Sequence, residues 1–301
     1  MLGVAALIIV MSVMNGFRTE LLTRILGVNG HVILMPIDTP LRDFDTVAQR
    51  IDGVSGVQFT MPLVQGQVLA SGANSAGTGA LVKGVREADL KKLAPIADNI
   101  RGGTLDGFDD SGGVAVGSRL ASSLGLSLGD MITLVSPEGD VTPFGNTPRV
   151  KAYPISAIFE IGLSEYDAAY VYMPLSEAQL FFNSEDQAQQ IEIFVANPDA
   201  VVSLQGPIEQ AAGRPGYTVT WQQQNASFFS ALQVERNVMF IILTLIVLVA
   251  ALNIISGLFM LVKDKGSAIA ILRTMGATKG AIMRVFLITG ASIGVAGTLA
   301  G

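Results

Sequence analysis

From Val238 to Val262 the chain runs for 25 residues without a single acidic or basic side chain (VMFIILTLIVLVAALNIISGLFMLV). At about 1.5 Å of rise per residue, a helix of that length crosses a hydrocarbon core of roughly 30 Å with room to tilt. A helix buried in a soluble core is the alternative, but such length without charge is unusual there. The run therefore predicts a membrane protein. Two further apolar stretches, Met1 to Gly16 and Phe286 to Gly301, are short for a span. They read as membrane helices of which the chain holds only a part. A cleaved signal peptide is the rival reading of the first, but the stretch has no basic leader and no small-residue cleavage site before Arg18.

Orientation follows from the basic residues, which stay on the cytoplasmic side of membrane helices. Lys263, Lys265, Arg273, Lys279 and Arg284 follow the long run against one acid, Asp264, so this turn is expected in the cytoplasm. The stretch from Phe17 to Asn237 carries 24 acidic and 14 basic residues and falls on the other side. Its acidity excludes a nucleic-acid surface, which needs clustered positive charge. With no cysteine, about 200 residues must fold on burial alone, which is chain enough for a core.

The outer stretch reads as an α+β domain. His31 to Pro36 has the look of a strand, Phe44 to Ile51 of a short helix and Val57 to Leu69 of a second strand. The order recurs with Ile191 to Ala196 as strand, Asp199 to Ala212 as helix after Pro198, and Tyr217 to Trp221 as strand. Two β-α-β-like halves are thus predicted, with an inserted, mostly-β subdomain at about 101–159. Within it Val114 to Val116 and Met131 to Val135 are the clearest strands. Ser136 to Pro148 (SPEGDVTPFGNTP), with prolines at 137, 143 and 148, is expected to be a protruding loop that stays stiff without joining a sheet. Phe144 among those prolines makes it a candidate binding loop.

Catalytic constellations fail for want of parts. One histidine and no cysteine leave no zinc cluster, Cys/His dyad or c-type haem site. His31 opens a strand and reads as structural, and no serine sits in a G-x-S-x-G turn. Asp109 and Asp110 read as a solvated turn. Ser71 to Gly84 has two glycines at nucleotide-loop spacing, but Thr78 and Gly79 replace the lysine and hydroxyl, so a hairpin tip is expected. After Val262, the residues Ala268, Ile271, Leu272 and Met275 fall at helical spacing opposite polar positions. Gly276 ends that short amphipathic helix and Thr278 caps the next. Its apolar ridge with one arginine suits a protein groove.

These pieces resemble the permease subunits of the lipoprotein-releasing ABC transporter of Gram-negative inner membranes, the LolC/LolE type, within the wider MacB-like and FtsX-like permease superfamily. The resemblance spans all 301 residues and is carried by SVMNGF (Ser12 to Phe17) with RILG (Arg24 to Gly27), YVYMPLSEAQLFF (Tyr170 to Phe182) and VKDKGSAIAILRTMGA (Val262 to Ala277). It implies a first membrane helix and its periplasmic extension over 1–28, a periplasmic domain over 29–225, a second helix over 226–262, a cytoplasmic coupling helix over 263–280 and a third helix over 281–301. It implies a multi-pass protein of the bacterial inner membrane that is not itself an enzyme and holds no cofactor, ATP being bound by a partner. The implied partners are a cytosolic LolD-like ATPase, a second permease copy or paralogue, a periplasmic LolA-like chaperone, lipoprotein substrates and membrane lipid.

Residue by residue, the resemblance places acyl-chain contacts at Val10, Met14 and Phe17 of the first helix and at Phe229, Leu232, Met239 and Phe240 of the second. Thr142, Pro143, Phe144, Gly145, Pro148, Arg149 and Lys151 match a chaperone-binding hook of the C-type subunit. Ala268, Leu272, Arg273 and Met275 match the ATPase-coupling helix. The coupling region is at least as close to the E-type subunit, and the mixture resembles a single-gene version that acts as a homodimer. A MacB-like exporter and an FtsX-like signal-transmitting permease are the alternative functions.

Overall fold

The computed structural model describes residues 8–9, 11–13, 16, 26–37, 40–72, 77–142 and 145–299. The chain divides into two compact units, Met1–Phe17 with Ser227–Gly301, and Arg18–Ala226. The second unit carries strands β1 (Val32–Pro36), β2 (Val57–Ser71), β3 (Thr78–Val85), β4 (Ile100–Gly103), β5 (Val114–Gly117), β6 (Met131–Thr142), β7 (Gly145–Phe159), β8 (Tyr170–Pro174), β9 (Gln190–Val195) and β10 (Gly216–Thr220). They run in the order β10-β1-β9-β2-β3-β8-β5-β7-β4, with β6 paired to β2 and β7.

Both β-α-β units form, and they interleave. β1 lies between β10 and β9, and β9 lies between β1 and β2, all antiparallel. The helix Phe44–Asp52 buries Phe44, Val47, Ala48 and Ile51, one face at helical spacing. It packs against its counterpart Val201–Ala212, which stops at Gly213 in the left-handed conformation (φ 63°) and lets the chain turn toward β10. Trp221, read as the end of that strand, instead opens a short helix capped by Thr220.

β2 serves three neighbours: its first half pairs with β9, its second with β3, and its last residues, Leu69 to Ser71, also with β6. The strands of 101–159 do not close on themselves, because β8 and β3, from either side of that stretch, continue their sheet. The helix Leu175–Phe181 lies so close to β3 that a Cβ on Gly84 would stand 2.0 Å from the Ala178 Cβ, an approach only glycine allows. On the opposite face Val28, Met61, Leu63, Leu90, Phe108 and Phe194 belong to one buried cluster.

The expected loop 136–148 is corrected: it is the outer part of a β6–β7 hairpin. Asp140 pairs with Thr147, Val141 with Asn146 and Thr142 with Gly145. The physical reason is that paired strands satisfy backbone groups that a free loop leaves to water. A register shift between Ser136 and Asp140 takes Pro137 out of the ladder, so its missing donor costs nothing there.

In the other unit, one helix spans Ala226–Asp264, 39 residues. Its stretch Asn237–Asp264 has a mean hydropathy of 3.0 in its most apolar window, none of it buried by protein. Among the described residues it is the one helix long and apolar enough to cross a membrane. Two more helices follow, Gly266–Thr274 and Lys279–Leu299.

Candidate functional site

Four features of the chain are candidates for a functional role, and they differ in how far the sequence foretold them. Of the predicted acyl-chain contacts, Val10, Met14 and Phe17 lie outside the described residues. Phe229, Leu232, Met239 and Phe240 all fall within the long helix. Phe240 is 71% exposed.

The predicted hook splits into a tip and a root. Thr142 and Gly145 pair at the tip, with Pro143 and Phe144 between them outside the described residues. Arg149 and Lys151, at the root, are held within the fold. The Arg149 guanidinium donates to the carbonyls of Leu180 and Phe181 and to Asn183 Oδ1, the last at 2.7 Å. Lys151 Nζ lies 2.6 Å from Glu177 Oε1, which also accepts from the Tyr153 hydroxyl at 2.8 Å. Burial, and then the bond to Glu177, pushes the Tyr153 phenol well above its ordinary value. The two cations thus tie the arm to the helix Leu175–Phe181 and set its direction.

In the basic turn, Met275 closes the helix Gly266–Thr274, Gly276 turns at φ 99°, and Ala281 N donates to Thr278 Oγ1 at 3.2 Å, as the capping pattern predicted. The four predicted coupling residues do not act alike. Ala268 and Leu272, with Lys265 and Ile269, line a cavity of about 370 Å³ whose far wall is Ala281, Ile282, Val285 and Phe286. Met275 is 79% exposed, and Arg273 is exposed in the last turn of the helix. Arg273 lies roughly 140° around the helix from Ala268, counting about 100° per residue.

The fourth feature was missed. Lys83 on β3 and Glu192 on β9 form an ion pair at 2.8 Å, each side chain 2% exposed. Lys83 Nζ also donates to Asn29 Oδ1 and lies 5.7 Å from the centre of the Tyr170 ring. Tyr166, Tyr170 and Tyr172 crowd the pair, and burial raises all three phenols above their ordinary value. One signal was available: ALVKGV and QIEIFV are apolar strand runs, each broken by one charge, of opposite sign.

His31 is structural, as its position suggested. Its Nδ1 accepts from Val195 N at 2.9 Å, so Nε2 carries the proton and donates to the Leu26 carbonyl at 3.0 Å. Burial holds the imidazole below its ordinary value, against the opposing pull of those two bonds and of Glu192. The unfolded chain takes up this proton near pH 6.5, while the folded state stays neutral to lower pH. Stability is therefore complete above about pH 6.5 and is lost as pH falls toward the folded value. The expected result is a lower urea midpoint at about pH 5.5 than at about pH 7.5, with the difference reduced in His31→Asn. Equal midpoints for the wild type would contradict the assignment.

Asp109 accepts from Glu87 N at 2.9 Å and so serves a turn rather than an acid/base pair. Among the described residues no three His, Cys, Asp or Glu side chains are placed to hold a metal ion.

Residues 1–211 match the MacB-like periplasmic core domain. The chain is 33% identical over 306 residues to the lipoprotein-releasing system transmembrane protein LolC of Neisseria meningitidis, covering 100% of this chain and 72% of that protein. It is 29% identical over 305 residues to LolE of Haemophilus influenzae, covering 100% and 73%. Among solved structures, the periplasmic region of MacB from Actinobacillus actinomycetemcomitans aligns with 67% of this chain and 94% of that one, with a TM-score of 0.42 and 12% identity.

Proposed function

The chain belongs to the LolC/LolE family of lipoprotein-releasing system transmembrane proteins, and on that premise we propose that it is the permease subunit of an ABC transporter. It takes lipoproteins bound for the outer membrane out of the inner membrane and hands them to a periplasmic chaperone. The observation that carries this reading is the similarity to LolC along the whole chain, from its apolar start through the α+β unit to the helices after the basic turn. The MacB-like match ends at residue 211, before those helices, and is less specific.

In this reading ATP is hydrolysed by a cytosolic subunit, and the chain itself makes and breaks no covalent bonds. The basic turn faces the cytoplasm, which puts the α+β unit in the periplasm of a multi-pass inner-membrane protein. The helix Gly266–Thr274 seats in the ATPase through Ala268, Leu272, Arg273 and Met275. Acyl chains lie against Val10, Met14, Phe17, Phe229, Leu232, Met239 and Phe240, apolar side chains that exchange one hydrocarbon neighbour for another at little cost. A second permease copy completes the path. At the arm, Thr142, Pro143, Phe144, Gly145 and Pro148 meet the chaperone, while Arg149 and Lys151 hold the arm's direction.

The test is reconstitution of the full-length protein with its ATPase in vesicles, followed by transfer of a triacylated lipoprotein to soluble chaperone. Transfer is expected, and ATP hydrolysis without transfer would refute the reading. In the same assay Pro143→Ala with Phe144→Ala is expected to weaken chaperone capture about tenfold, the usual scale for losing an aromatic anchor. ATP hydrolysis should stay at the wild-type rate, and undiminished capture would remove the arm from the handover.

A further inference from the structure

The ion pair of Lys83 and Glu192 has no part in the function argued so far, yet it is the most deeply buried ion pair among the described residues. Stability alone does not account for it, because an apolar pair of similar volume serves as well or better in a dry interior. What distinguishes it is where its remaining hydrogen bonds go. Lys83 Nζ donates to Asn29 Oδ1 at 3.1 Å, and Glu192 Oε2 accepts from Gly30 N at 2.9 Å. Both bonds reach the segment through which the chain enters the α+β unit from the side of its apolar start.

Three further contacts tighten that hold. Asn29 Nδ2 donates to the Tyr166 hydroxyl at 2.5 Å. A Cβ on Gly30 would stand 2.6 Å from the Glu192 Cβ, so glycine is needed for the backbone to come this near. His31, the next residue, accepts at its carbonyl from Trp221 N at 2.9 Å. Trp221 is itself buried, shortly before the long helix Ala226–Asp264 begins. Both covalent connections of the α+β unit are therefore stitched to one place in its sheet.

We propose that Lys83 and Glu192 are positioning residues for lipoprotein release. They clasp Asn29 and Gly30 to the sheet, so that a displacement arriving along the chain from the first apolar stretch moves the α+β unit instead of being absorbed in the connection. A hydrogen-bonded ion pair shielded from water is directional and holds one geometry, whereas an apolar contact of the same size can slide. The inference rests on the permease reading above.

The experiment uses the full-length permease assembled with its ATPase in vesicles, and measures lipoprotein released to chaperone per ATP hydrolysed. Lys83→Met with Glu192→Gln removes both charges while keeping the volume and an acceptor for Gly30 N. The expected result is wild-type thermal unfolding and ATP hydrolysis, with release per ATP lower by about tenfold. Asn29→Ala, at a partly exposed site that tolerates truncation, is expected to lower the same ratio by about threefold. If the double variant does not assemble, Asn29→Ala decides alone.

Wild-type ratios in the variants overturn the clasp, as does a loss of release that only tracks a loss of thermal stability. A wild-type complex that releases no lipoprotein overturns the permease reading and the clasp with it. Wild-type release with unchanged variants overturns the clasp alone.

Discussion

Leu272→Asp strips the ATPase from the complex. Leu272 is 50% exposed on the helix Gly266–Thr274, beside Ala268 and Ile269, and it faces an apolar wall of Ala281 and Val285. A carboxylate placed there is solvated while the chain is alone, so the variant folds. On docking it must lose its water without gaining a partner. The cheapest escape is to take up a proton, which for a carboxyl of pKa near 4 costs about 4 kcal/mol at pH 7. That corresponds to roughly a thousandfold in affinity. Co-purification of the ATPase with the full-length permease is the measurement, with Leu272→Ala as a milder control. Retention of the ATPase by Leu272→Asp would show that this helix is not the seat.

Glu192→Leu, the second large effect, melts the α+β unit early. The substitution leaves the Lys83 ammonium buried with Asn29 as its remaining hydrogen-bond acceptor, and removes the acceptor for Gly30 N. Breaking one side of a buried pair costs about 3–5 kcal/mol, because the other charge stays behind uncompensated. For a unit of this size each kcal/mol shifts the melting temperature by about 2–4 °C, so a fall of about 10 °C is expected. Trp221, the sole tryptophan and a buried one, reports the transition by fluorescence. Lys83→Met with Glu192→Gln, which leaves no buried charge behind, should restore the wild-type melting temperature. An unchanged melting temperature in Glu192→Leu would mean the carboxylate is not buried in the folded protein.

Much of the fold is legible in the sequence. The helix Phe44–Asp52 and strands β1, β2, β9 and β10 fall within a residue or two of where periodicity put them. The caps at Gly276 and Thr278 were readable from residue type alone. Pro137 misled. Proline was read as keeping 136–148 out of a sheet, but a bulge absorbs it and the strands continue to Thr142 and from Gly145. Nothing local in the sequence reveals the partners of Arg149 and Lys151, which lie on the helix Leu175–Phe181 and just after it.

By itself the sequence determined the helix long and apolar enough to cross a membrane, the charge imbalance on either side of it, the α+β class of the acidic stretch and the family. Each rests on local or summed properties: a charge-free run, a charge imbalance, a periodicity of two or 3.6, a shared motif. Only the tertiary structure decided how the two β-α-β units interleave and why a lysine and a glutamate sit in apolar strands. Strand order is set by pairing between distant segments, and the pair itself closes across 109 positions of chain. A lone charge in a strand reads as a solvent-facing residue until the opposite charge, the asparagine and the glycine are brought against it in a space without water.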